Sequence, residues 1–249
     1  MSNSTKDPAM LFLIPTAKEM KPGQTLPSKP LGNLSQAILN QLLTYTPEEL
    51  GKLYKIKEGP AQKEWDRLQA LASADTYPAL QLFNGLMYRN IKRDGWSQAE
   101  QAYLEKSVYI ISSLYGIIPA LYPIAEHRLD FNLALKVDGQ SLKNLWRPNY
   151  DAFLNQADGP IISLLSSEFE DVFSPSQRER LISLVFMEEK EGQLKIHSTI
   201  SKKARGQFLT AAVEQQAQCL EDLKSLDFAG FSYRADLSKE SKLVFVKKV

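Results

Sequence analysis

The segment Ser201–Gly206, SKKARG, places three cations at the predicted start of a helix that runs to residue 223. Cationic side chains in a first helical turn oppose the partial positive charge of the terminus, which costs about a few tenths of a kcal/mol each. The placement becomes favourable when an anion lies there. Lys202, Lys203 and Arg205 would then join free N–H groups as donors to a phosphate or carboxylate. The alternative interpretation is a basic turn that is only solvated.

A second candidate anion site is a pair of short helices predicted between residues 46 and 63. Thr46–Glu49 supplies a capping hydroxyl, a proline at the first helical position and a glutamate at the third. Pro60 opens the second helix after a short connection that contains one glycine. With Lys57 and Lys63 nearby, the pair is similar to helix-hairpin-helix elements, which hold a nucleic-acid backbone through hairpin amides. A plain helical hairpin packed on a sheet is the alternative, since Pro60 lacks an amide donor.

Hydroxyl, carboxylate and cationic side chains at separated positions could together line a polar pocket. These candidates come from sequence blocks that resemble those of a known protein family, and they are Thr16, Lys18, Tyr115, Arg128, Asp130, Ser166, Glu168, Lys202 and Arg205. Lys18 would serve as a base or as a Schiff-base amine only in a desolvated setting. A hydrogen-bonded core network is the alternative for Tyr115, Trp146 and Asp130, and no residue is assigned a catalytic role.

Motifs and composition exclude several standard chemistries. No G-x-G pair, Walker A sequence, G-x-S-x-G or H-E-x-x-H occurs, which argues against dinucleotide binding, P-loop chemistry and these hydrolase classes. One cysteine cannot close an intramolecular disulfide, and two histidines cannot build the usual zinc sites. The sequence therefore predicts neither a metal site nor a bound cofactor.

Strand and helix patterns that alternate along the chain must position these residues. Apolar runs of strand length occur at residues 10–14, 79–83, 133–137, 160–165, 181–187, 194–197 and 243–246. Helical patterns occupy residues 34–43, 47–55, 61–72, 98–113, 141–155 and 202–223. The mixture predicts an α/β (α+β) fold, a single compact domain whose mixed β-sheet is flanked by helices and which includes the helix-hairpin-helix-like element.

The composition is that of a folded protein with balanced charge. Of 249 residues, 43% are hydrophobic and 24% are charged, and 30 basic against 29 acidic side chains give a net charge of +1. A polyanionic partner must therefore be held by a local basic surface. No apolar stretch reaches the roughly 18 residues of a membrane span and no secretory signal is present, which predicts a cytoplasmic protein without membrane association. Residues 1–9 are polar and are interpreted as a leader, and residues 10–249 as one domain.

Short blocks along the chain match, in order, those of one protein family. The strongest block is K-K-A-R-G at residues 202–206, which is intact. Further blocks are F-x-G-x-x-Y at 83–88, L-Y-G at 114–116, R-L-D at 128–130 for the family's R-L-E, a tryptophan at 146, Ser166 and Glu168 of A-S-x-E-Y, and L-V-F at 243–245. From Met10 onward the chain resembles the YaaA-type peroxide stress proteins.

Three departures separate the sequence from this family pattern. The family's opening S-P-A-K reads P-T-A-K at residues 15–18, which moves the hydroxyl by one position. Pro119 replaces an arginine and His127 replaces a tyrosine, so no role of that arginine or tyrosine is carried over.

The resemblance implies a cytoplasmic protein of the oxidative stress response that helps limit peroxide and iron damage to DNA. It also implies a compact α/β fold that binds DNA through a positively charged cleft and a helix-hairpin-helix element, by contacts to the backbone that do not depend on base sequence. The candidate DNA- or anion-binding residues are then Lys18, Lys57, Lys63, Arg128, Lys202, Lys203 and Arg205.

The alternative function is an enzyme or small-anion-binding protein of unassigned chemistry that uses a polar pocket around Lys18, Arg128 and Lys202. A closed concavity of roughly a few hundred Å³ would favour this alternative. A long open basic groove would favour DNA.

Overall fold

The computed structural model describes residues 9–249, so the leader predicted at residues 1–9 lies, except for its last residue, outside the described residues. The strands of the described residues are β1 (Leu11–Pro15), β2 (Thr76–Pro78), β3 (Val108–Ser112), β4 (Gly116–Pro119), β5 (Pro123–Ala125), β6 (Lys136–Val137), β7 (Gln140–Ser141), β8 (Ile161–Ser163), β9 (Leu181–Lys190), β10 (Gln193–Lys195), β11 (Phe231–Tyr233) and β12 (Lys242–Lys248).

Helices occupy most of the connections between these strands. They are α1 (Asn33–Leu42), α2 (Pro47–Tyr54), α3 (Glu58–Ala70), α4 (Ala79–Leu82), α5 (Gln98–Ser107), α6 (Leu142–Asn155), α7 (Ser167–Glu170), α8 (Pro175–Arg178), α9 (Ser198–Glu214) and α10 (Leu220–Lys224), with 3-10 turns at Tyr88–Asn90 and Ala235–Leu237.

Within the described part of the chain, the main sheet is mixed and has eight strands. Its order is β11-β12-β9-β8-β1-β3-β4, and β10 pairs with the end of β9. The inner strands β12, β9, β8, β1 and β3 run parallel to one another, whereas β11, β10 and β4 pair antiparallel with their neighbours. The predicted α/β domain with a mixed sheet flanked by helices is therefore confirmed.

Strand β1 lies at the centre of this sheet and is buried on both faces. Phe12 and Ile14 belong to one apolar core, and Leu13 between them belongs to the other, as the two-residue period of a strand requires. Side chains of α5 and α9 complete the first core, and those of α1, α2, α3 and α6 complete the second. Coverage on both faces explains why β1 is a continuous apolar run.

Helices α2 and α3 form the predicted pair of short helices, and their likeness to a helix-hairpin-helix element stays a prediction. The Thr46 hydroxyl accepts a hydrogen bond from the Glu49 amide at 3.3 Å, and the Glu49 carboxylate accepts one from the Thr46 amide at 2.8 Å. A Cβ on Gly51 would lie 3.3 Å from the Cβ of Ala61, so the two helices cross closely. Helix α3 begins at Glu58, before the proline that is predicted to open it.

Two predicted elements have the wrong type. Residues 79–83 form helix α4 and its cap rather than a strand, because the segment A-L-Q-L-F is too short for its hydrophobic period to separate the two. The helix predicted over residues 98–113 ends at Ser107, and β3 follows without a turn. β-branched residues at 108, 110 and 111 favour a strand there once β1 is available as a parallel partner.

Two further predictions have the wrong boundaries. Only Lys136–Val137 of the run 133–137 is a strand, in a small separate ribbon. The helix predicted over residues 202–223 is two helices, since α9 begins at Ser198 and ends at Glu214. Gln216 then adopts a left-handed conformation, with φ of 48°, which ends the helix before α10 begins.

Candidate functional site

A cleft opens beyond the carboxyl ends of the parallel strands β1 and β8. The chain leaves β1 toward β3 on one side and leaves β8 toward β9 on the other. Open parallel sheets place their ligand sites at such a reversal of strand order, because the diverging connections leave a crevice there. The residues that follow the two strands therefore form the floor of the cleft.

The cleft has two adjoining lobes. The Asp130 lobe has a volume of about 480 Å³, and the Arg205 lobe has a volume of about 410 Å³. Both lobes are lined by Thr16, Ala17, Lys18, Glu168 and Phe169. A single elongated ligand can therefore contact both.

The loop after β1 is fixed by the F-x-G-x-x-Y block. The Tyr88 hydroxyl donates a hydrogen bond to the Pro15 carbonyl oxygen at 2.6 Å, at the last residue of β1. A Cβ on Gly85 would lie 2.8 Å from the Cβ of Ala17, so only glycine permits this approach. This block therefore positions the floor of the cleft, including Lys18.

Lys18 and Asp130 form an ion pair across the Asp130 lobe. The Lys18 Nζ lies 3.5 Å from the Asp130 Oδ2, and the two side chains are 69% and 23% exposed. The other carboxylate oxygen, Oδ1, accepts a hydrogen bond from the Asn132 amide at 3.0 Å. A pair this exposed adds little stability, so an anion can compete for the ammonium group.

Arg128 covers the ring of Tyr54 in the same lobe. The central carbon of the guanidinium group lies 5.8 Å from the ring centroid, within the range of a cation–π contact. Within residues 9–249 the Arg128 side chain has no carboxylate partner. Burial, with the Glu64 carboxylate nearby, raises the pKa of the Tyr54 hydroxyl, and Arg128 partly opposes that shift.

His127 is a buried neutral base on the wall of the Asp130 lobe. Its Nδ1 lies 2.9 Å from the Ala125 carbonyl oxygen, and its ring makes edge contacts with Phe83 and Tyr115. Burial lowers the pKa of His127 to about 4. Because a carbonyl oxygen only accepts, Nδ1 carries the proton, and Nε2 is the acceptor of the neutral ring.

The K-K-A-R-G block sets the wall of the Arg205 lobe. Lys202 and Arg205 are three residues apart on α9, so they lie on one face of the helix, and both line the lobe. Burial lowers the pKa of the Arg205 guanidinium, and the Glu170 carboxylate partly opposes that shift. In the described part of the chain no salt bridge reaches Arg205.

One part of the predicted anion site at this block is wrong. Helix α9 begins at Ser198, so Lys202, Lys203 and Arg205 lie beyond its first turn. The free amide groups of the helix terminus are therefore one turn away. At this block, an anion in the cleft would therefore be held by side chains and not by the backbone amides of the helix terminus.

The structure brings together most, but not all, of the candidate residues. Thr16, Lys18, Arg128, Asp130, Ser166, Glu168, Lys202 and Arg205 line the cleft. Lys203 is exposed on another face of α9, and Lys57 and Lys63 are exposed on the α2–α3 hairpin, outside the lining of both lobes.

Tyr115 and Trp146 belong to the core rather than to the cleft. The Tyr115 hydroxyl accepts a hydrogen bond from the Ala125 amide at 3.1 Å, and burial raises the pKa of Tyr115 to about 12. Trp146 donates from Nε1 to the Ser113 carbonyl oxygen at 2.8 Å. Its ring lies 2.7 Å from where a Cβ on Gly116 would be, which explains the glycine of the L-Y-G block.

Sequence reasoning missed the aromatic side of the site. Tyr54 and Phe169 both line the Asp130 lobe, and neither was singled out. The one signal for Phe169 is its position directly after Glu168. Tyr54 ends helix α2, and nothing in the sequence connects that position with Arg128.

Comparison with known proteins relates the sequence of this chain to one family. The family described as "Peroxide stress protein YaaA" matches residues 10–237. The chain belongs to the YaaA family of peroxide stress proteins. A UPF0246 protein of Streptococcus thermophilus strain CNRZ 1066 is 55% identical over 241 residues, which is 96% of this chain and 98% of the relative.

Other relatives in the YaaA family match over the same length. A UPF0246 protein of Streptococcus uberis is 54% identical over 241 residues, and one of Streptococcus pyogenes serotype M3 is 56% identical over 245 residues. Each match covers 96% of this chain and 99% of the relative. Across residues 9–249, no helix is long and apolar enough to cross a membrane, and no three His, Cys, Asp or Glu side chains group as metal ligands.

Proposed function

We propose that this YaaA-family protein binds the phosphate backbone of DNA in the cleft, in the cytoplasm, and so helps limit peroxide and iron damage to DNA. The observation that carries the proposal is the convergence of Lys202, Arg205, Arg128 and Lys18 beyond the ends of β1 and β8. These residues come from three segments that are far apart in the chain.

The charge of the cleft supports a polyanionic ligand although the whole chain is nearly neutral. Among residues 9–249, three carboxylates line the two lobes, those of Glu19, Asp130 and Glu168. Seven cations from the same part of the chain line them, namely Lys18, Lys52, Lys55, Arg89, Arg128, Lys202 and Arg205. The local excess of positive charge attracts phosphate without any contribution from the net charge.

Arg205 is the residue best suited to hold a phosphate. Burial removes water from its guanidinium group, and no carboxylate of residues 9–249 forms a salt bridge with it. A phosphate would restore the lost interactions through two parallel N–H···O bonds. Backbone phosphates are the same in every sequence, so binding of this kind does not read bases.

The α2–α3 hairpin extends the basic surface. Lys52 and Lys55 lie at the end of α2 that faces the Asp130 lobe, whereas Lys57 and Lys63 are exposed beyond it. In the proposed complex the hairpin contacts phosphates that flank the ones held in the cleft, as a helix-hairpin-helix element does.

A second candidate function is favoured by the size of the lobes. Volumes of about 480 and 410 Å³ are those of pockets that enclose a small ligand. A small-anion-binding protein or an enzyme would use Lys18, Arg128 and Lys202 to hold that ligand. The residues that line the two lobes do not by themselves assign a reaction to such an enzyme.

Fluorescence anisotropy of a labelled DNA duplex, measured with the full chain over a series of salt concentrations, tests the first proposal. We expect the logarithm of the binding constant to fall linearly with the logarithm of salt concentration. The reason is that lysine and arginine side chains that bind phosphates release the counterions condensed on the DNA. Absence of binding at low salt would contradict DNA binding. A rise in the thermal unfolding midpoint with inorganic phosphate, in that case, would favour the small-anion function.

The same assay separates the cleft from the outer hairpin. We expect the pair Lys52→Ala and Lys55→Ala to weaken binding more than the pair Lys57→Ala and Lys63→Ala. The opposite order would place the DNA on the outer face of the hairpin.

A further inference from the structure

The Asp130 lobe has features that binding of a phosphate backbone does not use. Aromatic rings of Tyr54, Phe83, His127 and Phe169 line it beside the charged groups. Phe169 is half-buried and packs edge-on against Phe131, with ring centroids 5.7 Å apart. A cavity of about 480 Å³ with aromatic walls has the size and surface that suit a planar heterocycle.

Polar groups of both kinds line the same lobe. The Asp130 carboxylate and the neutral His127 ring offer acceptors, and Lys18 and Arg128 offer donors. Heterocyclic bases carry donors and acceptors on their edges, so this mixture suits a base better than it suits a row of phosphates.

An unsatisfied hydroxyl is the second, independent sign of a ligand. The Tyr54 Oη is buried and has no hydrogen-bond partner within residues 9–249. Buried hydroxyl groups almost always have a partner. Tyr54 lines the Asp130 lobe, and the charges of Arg128 and Asp130 act on its hydroxyl. The Oη is closed off from solvent, so a polar group of a ligand in that lobe would supply the missing bond once the Tyr54 ring shifts toward it.

The two lobes adjoin, so the base and the phosphate of one nucleotide can occupy one lobe each. The Arg205 lobe supplies Lys202 and Arg205 for a phosphate, and the shared floor at Thr16–Lys18 leads to the aromatic lobe. Base and phosphate of one nucleotide would then contact adjoining lobes at the same time.

We propose that the cleft binds a single nucleotide whose base is unpaired, with the base in the Asp130 lobe and the phosphate in the Arg205 lobe. The inference rests on the proposed function, because the nucleotide is taken to be an unpaired one within DNA. A free nucleotide has the same chemistry and is the other source. A base inside a duplex is stacked on both faces and paired along its edge, so it must leave the stack to enter a pocket. In DNA with a bulged nucleotide, the base of the bulge is already unpaired before the protein binds.

The test uses the full chain with 2-aminopurine as the base analogue, because its fluorescence responds to stacking. One duplex carries 2-aminopurine in a single-nucleotide bulge, and the other carries it in a matched pair. We expect the bulged duplex to bind at least about fivefold more tightly, as stacking of a base on aromatic side chains provides. We also expect a change in fluorescence on binding for the bulged duplex alone.

Matched variants assign the effect to the lobe. Phe169→Leu should abolish the preference for the bulge, because leucine keeps the apolar volume but not the stacking surface. Phe153→Leu is the control, since Phe153 is also half-buried but lies near the amino end of β1, away from the cleft. Thermal unfolding midpoints of both variants verify that they are folded.

A calorimetric titration with deoxyadenosine monophosphate distinguishes the two sources of the nucleotide. Binding of the free nucleotide, lost in Phe169→Leu, together with no binding of DNA, would support the nucleotide site and overturn DNA as its source. Equal affinity for bulged and matched duplex without binding of the free nucleotide would overturn the nucleotide site and leave DNA binding intact. No binding of any of the three would overturn both.

Discussion

Gly206 lies against the main-chain carbonyl oxygen of Met87, so closely that a Cβ at this position would overlap that oxygen and crowd Asn90. The contact joins α9 to the 3-10 turn that carries Tyr88, whose hydroxyl holds the end of β1. One glycine thus connects the helix that bears Arg205 with the floor of the cleft. The K-K-A-R-G block is a packing motif as well as a basic one.

Replacing this glycine should disturb stability and binding together. Gly206→Ala forces α9 away from the Met87 carbonyl, and we expect it to lower the free energy of unfolding by about 1–3 kcal/mol. The shift also moves Arg205, so affinity for duplex DNA should fall. Urea denaturation and anisotropy measure the two effects. If Gly206→Ala has the same free energy of unfolding as the wild type, the close packing of α9 against Met87 does not contribute to stability.

Gly116 should be equally intolerant for a different reason. Its φ of 77° is a left-handed conformation, and a Cβ would lie 2.7 Å from the Trp146 ring. We expect Gly116→Ala to lower the free energy of unfolding by at least about 2 kcal/mol. Gly59→Ala is the control, for which we expect the free energy of unfolding to rise. Nothing lies within 4 Å of a Cβ at that helical position, and the lost chain entropy of the unfolded state should stabilise the protein by about 0.4–1 kcal/mol. Urea denaturation compares them, and a stable Gly116→Ala variant would contradict the packing.

His127 should make stability depend on pH in mildly acidic solution. Burial lowers its pKa in the folded protein from 6.5 to about 4, so between these values the unfolded chain binds more protons than the folded one. The free energy of unfolding therefore falls as the pH decreases through this window, by about 3 kcal/mol from this residue. Denaturation of the wild type and of His127→Gln at pH 7 and pH 4 isolates the contribution. Equal losses in the two proteins would mean that His127 is not buried as a neutral ring.

Asp130 should oppose binding of fully paired duplex DNA, whose bases do not enter the Asp130 lobe. Removing its charge leaves Lys18 free and makes the cleft more positive, so we expect Asp130→Asn to raise affinity for duplex DNA about two- to fivefold. Stability should change by less than about 1 kcal/mol, because the ion pair is exposed. Asp138→Asn, in an exposed turn outside both lobes, is the control. Anisotropy at one salt concentration compares them, and weaker binding by Asp130→Asn would assign the carboxylate to the ligand side of the site.

Local signals in the sequence are sufficient to predict those elements whose structure depends on residues near one another in the chain. Helix α2 begins as predicted because Thr46, Pro47 and Glu49 form its cap among themselves. The run 10–14 reads correctly as β1 because a strand buried on both faces has no polar position. In contrast, Val108 continues a helical pattern in the sequence and becomes a strand only because it pairs with Phe12.

The cleft itself depends on topology that the sequence does not state. Lys18, Arg128 and Lys202 were predicted to belong together from the family resemblance, and their convergence requires the order of β1, β8 and β9 in the sheet. The exclusion of Lys203 has the same origin, since nothing in K-K-A-R-G indicates which lysine faces the cleft. The aromatic wall with Phe169 was missed because single aromatic residues are usually part of a core.

The neighbouring lysines of α9 provide the most direct test of DNA binding in the cleft. Lys202 lines the Arg205 lobe and Lys203, one residue later, does not. Binding of duplex DNA to Lys202→Ala and Lys203→Ala, measured over a salt series, compares two variants of identical charge. We predict that Lys202→Ala weakens binding about three- to tenfold and lowers the salt slope by about one, and that Lys203→Ala stays within about twofold of the wild type. Equal effects of the two substitutions would contradict binding in the cleft.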